Sequence, residues 1–160
     1  MTRSTRCLLP ALVLVGCVGC DQIAKSAARE HLAGTGVHSY LFDTIRLEYA
    51  QNPGAFLSIG ESLSPAVRYS GLIIGVGVFV VALFAWAVLD RRLTWLQRIA
   101  IAAMGAGGTG NLIDRVRFNG VVTDFLNVGL GPLRTGIFNV ADSILMLGVL
   151  VLLISFRTRP

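Results

Sequence analysis

The chain of 160 residues is short of charge, of histidine and of cysteine. Only 14% of its residues are charged, against about 25% in an average soluble domain. Intrinsic disorder needs high charge with low hydrophobicity, and a chain that is 54% hydrophobic is excluded from that class. The two histidines, His31 and His38, form no zinc-spaced set with the three cysteines, so no metal site and no cofactor are expected. Cys7, Cys17 and Cys20 all lie in the first apolar stretch with no distant partner, which argues against a disulfide framework. No convincing Ser, His or Cys nucleophile constellation is present. The formal charge is +5, but the basic residues mostly flank apolar runs, so nucleic acid is not an expected partner.

What the chain has instead is apolar length. Its mean hydropathy is +0.69. A soluble globule of this size has too little interior to hide so much apolar surface, which leaves a small polytopic membrane protein. Four stretches approach the roughly 20 residues a spanning helix needs, at about 7–28, 66–89, 95–113 and 137–156. The expected fold is all-α, with four transmembrane helices forming one membrane-embedded domain over 1–160. Arg3, Arg6, Arg91, Arg92, Arg98, Arg157 and Arg159 crowd into very short segments on one side. Basic residues in short loops stay on the cytoplasmic side, so both termini are expected there. The loops at about 29–65 and 114–136 then face outward.

Those outer loops carry strand patterns. Ile45, Leu47 and Tyr49 alternate with Thr44, Arg46 and Glu48, and Asn52-Pro53-Gly54 reads as a turn. Val121, Thr123 and Phe125 alternate in the second loop. A small β-platform on the outer membrane surface is expected. Glycines 105, 107, 108 and 110 in the third stretch read as close helix packing.

Ionisable groups inside spans cost energy and mark pairing or function. Asp90, beside Arg91 and Arg92, reads as an interfacial charge, and Glu30, Asp43, Glu48 and Glu61 as solvated loop carboxylates. Asp21, Asp114, Asp124 and Asp142 remain, and the four-span arrangement brings all four to one level of the membrane. Asp21 and Lys25 stand four apart and can pair, as an anchor of the first span or as part of a site. Asp114 closes the third span either as a cap or as part of a site. Asn111 lies one turn before Arg115. Asp142 lies about five residues into the fourth span, with Asn139 one turn earlier on its face. Asp124 and Asp142 together suggest a dyad, because two close carboxylates share a proton and can act as base and acid on water and a carbonyl.

Five motifs then identify a likeness. Asp21-Gln22-Ile23-Ala24-Lys25, Asn52-Pro53-Gly54-Ala55-Phe56, Gly110-Asn111-Leu112-Ile113-Asp114-Arg115, Val122-Thr123-Asp124-Phe125 and Phe138-Asn139-Val140-Ala141-Asp142 occur in order. Over roughly residues 7–156 the chain resembles the lipoprotein signal peptidases (signal peptidase II), which are bacterial membrane aspartyl proteases. The resemblance implies four transmembrane helices with an outer-face β-cradle in the bacterial inner membrane. It implies Asp124 and Asp142 as catalytic residues and Asn52, Gly54, Asn111, Arg115 and Asn139 around the substrate. Asp21 and Lys25 would buttress them. It also implies diacylglyceryl-modified prolipoproteins as substrates, cut just before the lipidated Cys, with membrane lipid as surroundings; a monomer is expected. The chain departs from the pattern at Ala24, where a hydroxyl residue is common, at Ala106, in place of a glycine, and in a slightly long segment from Arg115 to Asp124. Two other readings stand beside it. One is a non-catalytic membrane scaffold or transport subunit. The other is a lipoprotein itself cleaved at Cys17, since Leu14-Val15-Gly16-Cys17 resembles a lipobox.

Overall fold

The computed structural model describes residues 3–54 and 64–157. Ala55, Phe56, Glu61 and Arg159, named above, lie outside the described residues. Four helices and four strands follow in the order α1 (Arg3–His31), β1 (His38–Tyr40), β2 (Ile45–Asn52), α2 (Pro65–Leu89), α3 (Trp95–Arg117), β3 (Val122–Leu130), β4 (Leu133–Arg134) and α4 (Val140–Arg157).

Among the described residues, three helices are long and apolar enough to cross a membrane: Cys7–His31, Tyr69–Leu89 and Val140–Arg157, with mean hydropathies of 1.9, 2.8 and 2.1. Helix α3 is not among them, and its position explains why. It packs against α1, α2 and α4, which touch one another far less. A helix enclosed by three others needs small residues for close approach more than an apolar flank. Gly107 lies against the Ala141 carbonyl and Leu145 of α4, where a β-carbon has no room. Ala106 is buried without difficulty at 1% exposure.

The helix ends follow local chemistry. Pro65 opens α2, where its missing N–H costs nothing. Thr94 caps α3 reciprocally: its hydroxyl accepts from the Gln97 amide (3.2 Å) and its own N–H donates to Gln97 Oε1 (3.1 Å). Arg98, counted above with the loop charges, lies inside the first turn of α3 and is buried. It donates to the carbonyls of Ala87, Asp90 and Leu93, and so closes the end of α2. Around it sits an apolar core of Leu83, Ala87, Leu93, Ala100, Ile101 and Leu152.

At the other end, α3 runs four residues past the expected 113, so Asp114 and Arg115 belong to the helix proper. Helix α4 begins three residues later than expected, so Asn139 precedes it instead of lying a turn inside. The sheet is antiparallel throughout, in the order β1-β2-β3-β4. The alternating segments are its central pair, β2 and β3; β1 and β4 add short edges. An irregularity between Leu47 and Ala50 shifts the register, so that Ala50 stands opposite Asp124 and Asn52 opposite Val122. Phe138 exchanges backbone hydrogen bonds with Leu126 and leads from the sheet into α4. The starts of β3 and α4 are thereby held side by side.

Candidate active site

Asp124 and Asp142 arrive from different elements, at 2% and 8% exposure. Asp124 is the third residue of β3, and Asp142 sits in the first turn of α4. Asn139 joins them. Its Nδ2 donates to Asp124 Oδ1 (2.6 Å), its backbone N–H donates to Asp142 Oδ2 (3.2 Å), and its Oδ1 accepts from the Asp142 N–H (2.9 Å). The last two bonds form a reciprocal cap at the start of α4. One residue therefore ends the strand return, starts the helix and spaces the carboxylates.

Two more carboxamides complete the surroundings. Asn52 Nδ2 donates to Asp124 Oδ2 (2.9 Å), while its Oδ1 accepts from the Gly54 N–H (2.9 Å), an Asx turn that realises the expected Asn-Pro-Gly bend. Asn111 Nδ2 donates to Asp142 Oδ1 (2.8 Å). The orientation of the Asn111 amide is dictated by Lys25, whose Nζ can only donate and reaches Asn111 Oδ1 at 2.8 Å. Asn139 Nδ2 also donates to that oxygen (3.1 Å).

Lys25 is fully buried between Asp21 (2.9 Å) and Asp114 (3.5 Å). Asp21 Oδ1 accepts from the Ala141 N–H (2.8 Å), placing a negative charge at the α4 N-terminus, where the helix dipole favours it. Asp114 Oδ2 accepts from the Thr123 N–H (3.0 Å), fixing the strand one residue before Asp124. Gly110 makes this approach feasible, because an added β-carbon would lie 2.6 Å from Asp21 Oδ2. Arg115 donates from Nη2 to the Gly54 carbonyl (2.5 Å) and from Nη1 to the Asn111 carbonyl (3.3 Å).

All nine residues singled out from the sequence as site residues thus lie in one connected region. Asp114, open in the sequence between a cap and a site role, is completely buried in this network. Sequence reasoning missed two more. Gln22 Nε2 bridges Asp21, Asp114 and the Gly110 carbonyl, each at 3.2 Å. Arg29 donates to Thr123 Oγ1 (2.9 Å), lies 3.8 Å from Asp114 and covers the Phe118 ring at 4.6 Å. Its signal was present, because Asp21, Lys25 and Arg29 follow one another at helical spacing on one face.

Burial is the main reason the Asp124 carboxyl rises to about 6, with the neighbouring Asp142 adding to it. The bonds from Asn52 and Asn139 and the charge of Lys25 pull the other way. A carboxyl near 6 can hold or release a proton close to neutral pH, which suits acid–base work. Beside Asp142 a cavity of about 440 Å³ is lined by Arg134, Thr135, Phe138, Ser143 and Met146. Among the described residues no group of three or more His, Cys, Asp or Glu could hold a metal ion.

The family model described as signal peptidase (SPase) II matches residues 13–158. The chain belongs to the signal peptidase II family. A lipoprotein signal peptidase of Moorella thermoacetica is 32% identical over 91% of this chain and 87% of its own length. One from Streptococcus pneumoniae is 33% identical over 91% and 90%. Two solved structures, both described as bacterial membrane enzymes studied by the in meso method, superpose with a TM-score of 0.79 at 27% identity. They cover 92% and 94% of this chain and 86% and 94% of their own. As a signal peptidase II the chain is a membrane-embedded peptidase, and neither the scaffold reading nor the lipoprotein reading is favoured.

Proposed function

We propose that this signal peptidase II acts on diacylglyceryl-modified prolipoproteins, cutting just before the lipidated Cys with Asp124 and Asp142 as its acid–base pair. One observation carries the reading: the single Asn139 side chain and backbone reach both carboxylates. Of two carboxyls held so close, one keeps a proton while the other is ionised. The ionised one takes a proton from water as its oxygen adds to the scissile carbonyl carbon, and the neutral one donates to the carbonyl oxygen. Collapse of the tetrahedral intermediate breaks the C–N bond: the departing nitrogen takes the proton held by the pair, while one hydroxyl of the intermediate gives its proton to the ionised carboxylate as the carbonyl re-forms. One shared proton therefore remains on the dyad.

Asn52, Asn111 and Asn139 orient the dyad, and Arg115 fixes Gly54 beside it. Asp21 and Lys25 hold Asn111 and the α4 N-terminus from behind. The cavity beside Asp142 takes chain or lipid next to the cleaved bond. We read α3 as the fourth span, polar because it is enclosed. The sheet then lies at the outer face of a bacterial inner membrane, both termini are cytoplasmic, and residues 1–160 form a single, monomeric domain.

The test is cleavage of a diacylglyceryl-modified prolipoprotein by purified protein in detergent. Asp124→Asn and Asp142→Asn, each checked for folding, are expected to lose about 10²–10⁴-fold in rate. A folded variant with a near-normal rate would remove that aspartate from the mechanism.

A further inference from the structure

The ends of β2 and β3 remote from Asn52 and Asp124 take no part in the dyad, yet they display the most exposed apolar side chains of the sheet. Leu41 and Phe42 in the β1–β2 turn are 68% and 105% exposed, and Leu130 and Leu133 in the β3–β4 hairpin 73% and 82%. Large apolar groups presented together to solvent mark a contact surface.

The display is built. Leu41, Phe42 and Asp43 have φ of +51°, +54° and +67°. Residues with a β-carbon rarely adopt that region, and a run of three persists only where the surroundings over-determine it. Here Arg46 grips Asp43 through both carboxylate oxygens (2.7 and 2.6 Å), and Ser39 donates to the same group (2.7 Å). Arg134 Nη1 donates to the Asp43 carbonyl (2.7 Å), and the Gly129 N–H donates to the Thr44 carbonyl (2.9 Å). These last two bonds lock the turn to the hairpin, so the two tips form one unit. Gly131, at φ +55°, takes the first of the two connecting positions in that hairpin, where a tight turn needs positive φ.

What covers the tips follows from their continuity with α4. The return strand of the hairpin lines, through Arg134 and Thr135, the same cavity as Met146 of α4. Met146 begins the exposed apolar flank that continues through Leu147 and Leu150. The sheet therefore overhangs the flank that α4 turns toward lipid. Beneath the tips, Arg46 and Arg134 both bind Asp43, and the Glu48 charge also acts on Arg46, so a dense layer of balanced charge lies under the apolar tips, as the headgroup region of a bilayer accommodates. Tyr40, half exposed alongside, is a residue type enriched at membrane–water boundaries.

We propose that the paired tips are a membrane-interface anchor: Leu41, Phe42, Leu130 and Leu133 dip between phospholipid headgroups, with the charged cluster around Asp43 and Arg46 at headgroup level. The anchor holds the sheet over the flank of α4 and keeps the cavity beside Asp142 open to the bilayer. It rests on the reading that the apolar helices cross that bilayer, and the test separates the two.

Trp86 and Trp95, the two native tryptophans, are first replaced by Phe. Phe42→Trp, Leu133→Trp and Leu150→Trp are then introduced singly, and each protein is reconstituted into phosphatidylcholine–phosphatidylglycerol vesicles. Half of the vesicles carry acyl chains brominated near the headgroup. Emission from both tip reporters is expected to fall by roughly twofold in brominated vesicles, as befits a boundary position. Leu150→Trp, in mid-helix, is expected to be quenched most by chains brominated near the terminal methyl. Unquenched tips beside a quenched Leu150→Trp overturn the anchor and leave the spanning helices standing. Red-shifted emission would then mean tips in water, and blue-shifted emission tips against a second copy. An unquenched Leu150→Trp overturns the bilayer reading itself, and the anchor with it.

Discussion

The two ends of the helix bundle both bury charge, and they surround it differently. At the end away from the sheet, Arg98 meets backbone carbonyls at the close of α2 and an apolar core around them. Asp90 feels its charge, but among the described residues no carboxylate forms an ion pair with it. Its charge complements the negative end of a helix dipole and fixes a turn of the chain. At the sheet end, Asp21, Lys25, Asp114, Arg115 and Asp124 are each at most 4% exposed and are linked through side-chain amides. There each charge constrains the hydrogen-bonding choice of the next group. A buried ion bound only to backbone shapes the fold, whereas alternating ions and amides hold carboxylates whose protonation can change.

The largest stability effect expected from this contrast is at Lys25. Lys25→Met leaves Asp21 and Asp114 buried without their shared cation, which costs about 3–5 kcal/mol. Asn111 also loses the donor that orients it, so cleavage falls with stability. Chemical unfolding in micelles measures the first effect. Adding Asp21→Asn to Lys25→Met should recover much of the stability and little of the rate. Equal recovery of both would mean that Lys25 only balances charge.

Asp124 gives the next effect, with a definite sign. Its carboxyl is raised in the folded protein from 3.8 to about 6. Between those values the folded state binds more proton than the unfolded state, so stability falls as pH rises through this window and stays lower above it. The full difference is about 3 kcal/mol, at roughly 1.4 kcal/mol per pH unit. Asp124→Asn lacks this titration. Melting profiles should therefore shift in favour of the variant as pH rises from about 4 to above about 6. Parallel profiles would show that burial does not hold the proton on Asp124.

At the opposite end, Arg98→Met should cost about 1.5–3 kcal/mol through lost charge-assisted bonds to the α2 carbonyls. The rate per folded molecule should not change, and thermal melting beside a cleavage assay separates the two readouts. A folded Arg98→Met protein with impaired cleavage would mean that the two ends are coupled through α3.

How much of this contrast was legible beforehand depended on what each residue faces. Helices α1, α2 and α4 announced themselves because they turn apolar flanks outward. Helix α3 was fainter, because its neighbours are other helices and glycine serves it better than leucine. The alternation in β2 and β3 was readable, while β1 and β4 are too short to show a period. Asp142 stood out as a charge inside a span, whereas Asp124 reads alone as a loop carboxylate and gains meaning only beside Asp142. Gln22 did not stand out, since a neutral amide at the edge of an apolar run looks like ordinary interface. The turn at Leu41–Asp43 was invisible, because its lock, Arg134, comes from a distant part of the chain.

The smallest expected effect tests where the sheet-end network stops. Ala24 stands where the family resemblance leads one to expect a hydroxyl, directly before Lys25 in sequence. Its side chain lines a different cavity, about 310 Å³, with Ala27, Ala28, Leu47 and Phe125, and not the dyad. A serine there adds one oxygen into open space and can bond back to the carbonyl one turn earlier, so nothing polar is stranded. Ala24→Ser should therefore change stability by no more than about 0.5 kcal/mol and leave cleavage unaltered. Melting and a parallel rate measurement suffice to check both. A several-fold change in rate would extend the functional region across α1 to the cavity under Phe125. The boundary drawn here, with Lys25 facing the site and Ala24 outside it, would then have to move.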